Sequence, residues 1–287
     1  MTIALVTGTS SGIGLATTIT LARAGHTVFA GMRNLERDSE LREAVAKEKL
    51  PVTIVQLDVD DDSSVEAAIG KVMVDQGRID VLVNNAGLGA GGPIEEVPID
   101  VFRQTMETNF FGCLRCIKAV LPSMRERLSG CIVNVTSVSG RVGWTPQGPY
   151  AASKWALEGL SECLAQEVRP FGIRVAIVEP GIIGTPMTMR PRPAPPPGAY
   201  TTHKKRWAAM FIASLETPES PFVVADTILG AVEGKDTRLR LPCGRDAEAY
   251  IRSRTSRTDE EWVNLGLMSD AEFTADMKSR IGIDVKL

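Results

Sequence analysis

The sequence predicts an α/β protein, a doubly wound parallel sheet of about seven strands with helices on both faces. Three observations carry that prediction. Short runs rich in valine and isoleucine recur along the chain, bounded by Gly, Asp or Asn. Helix-length stretches separate them. A glycine-rich stretch, "TGTSSGIG" at residues 7–14, follows the first run directly. Strands buried on both faces and alternating with helices imply right-handed βαβ units.

In chain order, Ile3–Val6 is the first strand and Gly14–Ala24 the first helix, with Gly25 as its stop. Val28–Ala30 and Thr53–Leu57 are the second and third strands. An Asp run then opens a helix over Ser63–Gln76, and Val81–Val83 is the fourth strand. A long helix is expected over Val101–Met124, a fifth strand over Cys131–Val135, a second long helix over Tyr150–Arg169 and a sixth strand over Arg174–Val178. Arg190–Tyr200, "RPRPAPPPGAY", is too proline-rich for helix or strand. It is either a polyproline ligand for another protein or an active-site flap; its place after the sixth strand favours the flap, over about residues 186–218. Phe222–Gly230 reads as helix, Arg238–Leu241 as a seventh strand, and about Asp246–Leu287 as an amphipathic helical extension. No repeat and no linker divides residues 1–287, so one domain is expected.

Composition excludes several function classes. The chain has 287 residues, a net charge of −3, and 44% hydrophobic and 23% charged residues. That balance gives no basis for a nucleic-acid or anionic-membrane partner. No apolar run reaches the length of a membrane span. Five scattered cysteines, with no secretory signal ahead of them, point to a reducing, cytoplasmic setting. The only histidines, His26 and His203, are far apart, so no metal site is expected. Cys113 and Cys116 form a C-x-x-C inside a predicted helix with no second pair, which reads as core packing. Arg245, Arg252, Arg254 and Arg257 are flanked by Asp246, Glu248, Asp259 and Glu260, the pattern of a solvated helix face.

The opening loop joins the first strand to the first helix, where an open parallel sheet binds ligands. Gly8, Gly12 and Gly14 remove side chains so that backbone N–H groups can approach an anion, and the helix N-terminus favours a phosphate there. Ser10 and Ser11 add hydroxyl donors. Alone, the stretch is equally a glycine-rich turn. It is accompanied by "NNAG" (84–87) closing the fourth strand, "TNFFG" (108–112) in the next helix and "VTSVSG" (135–140) closing the fifth strand. "YAASK" (150–154) then opens a helix, and "PGIIGT" (180–185) follows the sixth strand.

On these motifs the sequence resembles the short-chain dehydrogenase/reductase family in its single-domain, Rossmann-type form, over about residues 1–185. The resemblance implies a nicotinamide cofactor held by Gly8, Ser10, Ser11, Gly12, Ile13 and Gly14, by Asn85, Ala86, Gly87 and Thr108, and by Pro180, Gly181, Ile183 and Thr185. It also implies an adenine contact at Asp58, with Val59 beside it.

Hydride transfer between a nicotinamide and a carbonyl carbon leaves a proton to be handled at oxygen, so the protein must supply an acid or base. Tyr150 and Lys154 are four residues apart on one helix face and can reach one site. A free phenol titrates near 10, and an ammonium at about 4 Å is worth about 4 kcal/mol toward the phenolate. The family resemblance gives Lys154 a second role on the nicotinamide ribose. It gives Ser137 a hydrogen bond to the substrate oxygen and Asn109 a water in the proton relay from Lys154.

NAD-binding members usually carry an acid at the end of the second strand. Here that position is Met32, followed at once by Arg33 and Asn34. Arg33 either pairs with the 2′-phosphate of NADP or is a loop arginine pairing with Glu36 or Asp38; the missing acid favours NADP(H) over NAD(H). Trp144, Met187, Trp207 and Phe211 are candidates for an apolar substrate pocket, with plain core as the alternative. The reading that results is a dehydrogenase/reductase acting on a bulky apolar carbonyl or secondary alcohol. A non-catalytic NADP sensor on the same fold is the alternative, and it has no need of the Ser137, Tyr150 and Lys154 set. An extended-branch epimerase or dehydratase would show T-G-x-x-G-x-x-G and a separate substrate domain, and neither occurs. The two long helices carry apolar residues beyond one stripe, including Phe111, Cys113, Cys116, Ile117, Val120 and Trp155. The resemblance implies a homodimer or homotetramer, whose two-fold interface would bury that excess unless the C-terminal extension covers it.

Overall fold

The computed structural model describes residues 2–190 and 197–287. Residues 191–196, most of the proline-rich stretch, lie outside the described residues. Seven parallel strands form one sheet in the order β3-β2-β1-β4-β5-β6-β7. They are β1 (Ile3–Thr7), β2 (Thr27–Met32), β3 (Val52–Gln56), β4 (Val81–Asn84), β5 (Gly130–Val135), β6 (Ile173–Pro180) and β7 (Arg240–Cys243). The chain builds outward from β1 to β3, then returns to place β4 on the other side of β1. The β1/β4 boundary is therefore the switch point where such sheets open a crevice at the strand C-terminal ends.

Alternation along β1 shows why these residues form a central strand. Ile3 and Leu5 enter the core on one face with Phe29, Leu82 and Ile132, while Ala4 and Val6 enter the other with Val28, Val83 and Val133. The first face is covered by α3 (Asp62–Gln76), α5 (Gly112–Glu126) and α6 (Gly148–Val168), through Val72, Ile117 and Leu164 among others. The second is covered by α1 (Gly12–Arg23) and α9 (Pro221–Val232), through Leu21 and Ile228. α2 (Ser39–Glu48) packs Leu41 beside Met32 at the outer edge.

The structure departs from the sequence expectations in three places. The long helix expected over 101–124 begins earlier, as α4 (Ile99–Met106), and opens into a π-helical turn over Glu107–Phe111 before α5. At that break Gly112 closes on Val59: a Cβ there would lie 2.7 Å from Val59 Cγ2. The seventh strand begins two residues late, because Asp236 accepts both the Arg238 N–H and its guanidinium and holds the chain in a turn. The C-terminal extension forms α10 (Ala247–Thr255), α11 (Asp259–Val263) and α12 (Asp270–Arg280). Its arginines are not all solvated as expected. Arg257 is buried, paired with Asp276, and shares the face of Trp262 with Arg254.

Tyr250, Phe273, Met277 and Ile281 of the extension join Val138, Ile182 and Met210 in a third cluster above the C-terminal ends of β5 and β6. The flap region contributes α7 (Pro186–Met189) and α8 (Thr201–Leu215) to the same end. Cys113 and Cys116 are buried in the core, and burial pushes their thiols up to about 11 and about 12. Of the apolar residues on the two long helices, Cys113, Cys116, Ile117 and Val120 are buried within the chain, while Phe111 and Trp155 remain 43% and 52% exposed.

Candidate active site

The opening loop sits at the switch point. Gly8 has φ +70° and Gly12 φ +59°, conformations that side chains resist. A Cβ on Gly14 would lie 2.3 Å from Gly8 O, so this glycine is required by the close approach of helix to loop. The first turn of α1 is open to an anion: Ser11 at the N-cap makes no side-chain cap hydrogen bond, and no acid lies in the turn. Ser10 is half-buried beside it, and Ile13 turns inward against the second core face. This cradle, with unspent helix N–H groups and hydroxyls, fits a pyrophosphate.

The other motifs converge on it. Thr7 Oγ1 accepts from Asn85 N at 3.0 Å and Ala86 N at 2.9 Å, while Asn85 Nδ2 donates to Thr7 O and Gly8 O. The loop after β4 is thereby fastened to the loop after β1. Thr185 packs on the glycine loop from the other side, with its Cβ 3.3 Å from where a Gly12 Cβ would stand. Pro180 and Gly181 lie at the end of β6, and Asp246 accepts from the N–H of the next residue, Ile182, at 3.2 Å. Ile183 is 2% exposed with its side chain in the core, so only its backbone is available to a cofactor.

At the adenosine end, Met32 is 1% exposed and packs with Leu15 and Ile19, while Arg33 and Asn34 are exposed. Among the described residues Arg33 forms no ion pair with Glu36 or Asp38; Asp38 pairs with Arg42 instead. Asn34 Oδ1 is occupied by Glu36 N–H at 2.8 Å, which leaves its amide nitrogen to a ligand. Asp58 is half-buried, with Oδ1 accepting from Asp60 N, and Val59 is buried beside it. Thr108 donates to Asp60 Oδ2 at 2.9 Å, so its hydroxyl ties the π-helical turn to the strand end.

Tyr150 and Lys154 lie on α6, with Lys154 Nζ 5.7 Å from the Tyr150 ring centroid. Lys154 is 5% exposed, and its ammonium donates to Val135 O at 2.9 Å. Ser137, directly after β5, accepts from Ser139 N at 3.1 Å. Asn109 is fully buried in the π-helical turn. Its Oδ1 accepts from Leu88 N at 2.7 Å, and its Nδ2 donates to Leu88 O at 3.0 Å and Ser153 Oγ at 2.9 Å. Both amide N–H donors are thus used within the protein. A Cβ on Gly87 would sit 3.2 Å from Asn109 Oδ1 and 3.8 Å from Lys154 Nζ, which places the loop after β4 against both side chains.

Ser137 and Tyr150 both line a cavity of about 1590 Å³. Trp144, Met187, Trp207 and Phe211 line it too. Trp207 and Phe211 stack at 4.6 Å between centroids while packing on the third cluster, so they serve core and cavity together. Trp144 is held edge-on by Trp262 at 5.1 Å and Tyr250 at 6.1 Å. Described residues on either side of residues 191–196 meet the loop after β4: Met187 Cγ is 3.2 Å from where a Gly89 Cβ would stand, Tyr200 donates to Glu95 at 2.6 Å, and Lys204 pairs with Glu96.

Residues 2–195 match the short chain dehydrogenase family. The chain belongs to that family. It is 37% identical over 271 residues to an uncharacterized oxidoreductase, YusZ, of Bacillus subtilis (strain 168), covering 92% of this chain and 96% of the relative. A short-chain dehydrogenase from Streptomyces avermitilis superposes with a TM-score of 0.79 at 34% identity, over 94% of this chain and 98% of that one. An actinorhodin polyketide ketoreductase variant with NADPH superposes with a TM-score of 0.73 at 29% identity, over 84% and 95%. The chain is therefore an oxidoreductase of a family that binds a nicotinamide cofactor. Among the described residues no helix is long and apolar enough to cross a membrane.

Several supporting residues of this short-chain dehydrogenase escaped the sequence reading. Thr7, which joins the two cofactor-side loops, and Ser153, which holds Asn109, are short polar residues inside motifs and carry no signal of their own. Tyr250 of the extension lines the cavity from a hundred residues beyond Tyr150. Only the tertiary fold brings it there.

Proposed function

We propose that this chain is an NADP-dependent dehydrogenase/reductase that interconverts a bulky apolar ketone and its secondary alcohol, with Tyr150 as acid/base. When bound, the nicotinamide supplies or accepts the hydride. The open N-terminus of α1 with Gly12, Ser10 and Ser11 would hold the pyrophosphate, and Arg33 with the free amide of Asn34 would meet the 2′-phosphate. In the reducing direction Tyr150 donates its phenolic proton to the substrate oxygen, and Ser137 hydrogen-bonds that oxygen as charge develops. The buried Lys154 ammonium stabilises the phenolate that remains. Because the Asn109 amide is occupied by Leu88 and Ser153, any water it contributes to the relay is held by other atoms of that turn, its main-chain carbonyl among them.

One observation carries this reading: Ser137 and Tyr150 both line one large aromatic-lined cavity, and the buried Lys154 ammonium lies 5.7 Å from the Tyr150 ring centroid. The NADPH in the ketoreductase neighbour supports the cofactor choice. The test is absorbance at 340 nm over a panel of ketones and alcohols with NADPH and NADH separately. Tyr150→Phe should lower turnover by at least about 10²-fold while NADPH binding persists. Near-parental turnover in a folded Tyr150→Phe protein sinks the mechanism, and NADP binding without turnover of any substrate would favour a sensor.

A further inference from the structure

Glu158 follows Tyr150 and Lys154 on the same face of α6, four residues further on. It is 4% exposed and does not line the cavity. Its Oε1 accepts from Thr136 Oγ1 at 2.7 Å, and Thr136 directly precedes Ser137. Its Oε2 accepts from Arg240 Nε of β7 at 2.9 Å. Arg240 in turn lies 3.6 Å from Glu179 Oε1, which accepts from Arg141 Nη1 at 3.1 Å. Arg141 follows the short turn Val138–Gly140 after Ser137, and that turn is pressed on α6. A Cβ on Gly140 would lie 2.9 Å from Glu158 Cγ and 3.2 Å from Lys154 O.

Four segments therefore meet behind the site: the turn bearing Ser137, the helix bearing Tyr150 and Lys154, the end of β6 and β7. The link runs forward as well, since Ser137 Oγ reaches the carbonyl of Pro180, the residue after Glu179, at 3.5 Å. Ser137 and Tyr150 come from different elements, and nothing in α6 alone sets the distance between their oxygens. We propose that Glu158 is a positioning residue that sets Ser137 against Tyr150, acting through Thr136 and through the ion network of Arg240, Glu179 and Arg141.

The network has a weak member. Glu179 is fully buried and its Oε2 has no hydrogen-bond partner. It faces Arg141 from the turn after β5, Arg240 and the neutral Cys243 thiol from β7, and Glu158 from α6. Burial, with the nearby Glu158 carboxylate, pushes Glu179 up to about 6. Protonation there removes the charge that both arginines share, so the strap loosens just below neutrality.

The inference rests on Tyr150 acting as the acid, and the experiment separates the two. Kinetics are measured in the reducing direction with NADPH and the best ketone of the panel. In that direction Tyr150 must be protonated, so loss of its proton produces no acid limb; Glu179 and Asp246 are the groups raised to about 6, and Asp246→Asn run beside Glu179→Gln separates them. Glu158→Ala should lower kcat by about tenfold or more, with KM for the ketone changed by less than about threefold and NADPH affinity by fluorescence unaltered. Glu158→Gln keeps the acceptor for Thr136 but sets an amide donor against Arg240, so it should recover part of kcat, a graded recovery that a loss of general stability would not produce. The parent should lose kcat as pH falls through about 6, and Glu179→Gln should not. Parental kcat in Glu158→Ala overturns the proposal, as does a Glu158→Gln protein no more active than Glu158→Ala, and an acid limb retained in full in Glu179→Gln overturns the role given to Glu179. Full turnover in Tyr150→Phe instead overturns the acid/base reading.

Discussion

Asn109→Ala tests whether this side chain is chiefly a structural bracket between the β4 loop and α6. The parent amide is fully buried and makes three hydrogen bonds, two to the backbone of Leu88 and one to Ser153 Oγ. Alanine leaves the Leu88 N–H and C=O without these partners, at about 1–3 kcal/mol for each group that water does not reach. Ser153 retains its own donation to Tyr150 O at 2.8 Å, so its loss is smaller. The sum is about 2–6 kcal/mol, and for a chain of this size about 2 °C per kcal/mol gives a melting temperature lower by about 4–12 °C.

The assay is thermal unfolding with and without NADPH, read beside turnover below the transition. Asn109→Asp sharpens it. That variant keeps an acceptor for Leu88 N–H but turns a second oxygen toward Leu88 O, a contact that only the protonated acid tolerates. Its folded pKa is then raised, so its stability is greatest in acid and is lost as pH rises through that value. A melting temperature for Asn109→Ala within about 1 °C of the parent would refute the bracket, because one unpaired buried group alone exceeds that shift.

Four further outcomes are expected. Arg33→Ala should weaken NADP by about 1.5–3 kcal/mol and NAD far less; equal losses in fluorescence titrations would make Arg33 a surface residue only. Trp207→Ala or Phe211→Ala should raise KM for bulky apolar ketones more than for small ones, and equal KM changes would assign both rings to packing. Burial pushes Asp246 up to about 6 against the opposing Ile182 N–H, so its ionisation costs stability as pH rises from about 4 to 6. Asp246→Asn should therefore be more stable than the parent at pH 7, by up to about 3 kcal/mol, and equal to it near pH 4; an advantage constant across that range in denaturant titrations would contradict the sign. Phe111 and Trp155 remain exposed on the two long helices, and we expect a dimer or tetramer; sedimentation as one species near the 30.9 kDa chain mass would count against it.

The sheet was legible because each strand is a burst of β-branched residues that must be buried on both faces, and Ile3, Ala4, Leu5 and Val6 meet that demand whatever surrounds them. Element ends were less so. The π-helical turn at Glu107–Phe111 has no local signature, since the Asn109 bonds and the Val59–Gly112 approach that accompany it are made to distant segments. Arg257 looked solvated for a similar reason. Its neighbours in sequence are charged, but its partner Asp276 is nineteen residues away, and it meets the Trp262 ring only because the chain turns between α10 and α11.

The candidate site divides along the same line. Tyr150 and Lys154 were readable as a pair because helical spacing alone puts them on one face. Ser137 and Asn109 gain their place only from the fold, and the sequence named them by resemblance, not by geometry. Glu158 shows what lies between these cases. Its spacing from Lys154 was as plain as that of Lys154 from Tyr150, yet a glutamate on a helix reads as solvated until β7 supplies Arg240 and the residue after β5 supplies Thr136. Burial changes its chemistry: a carboxylate withdrawn from water must be paired, and its pairing joins the strand end that carries Ser137 to the helix that carries Tyr150. A helix-face periodicity can therefore nominate such a residue, but only the elements packed against that face can say whether it holds the site together.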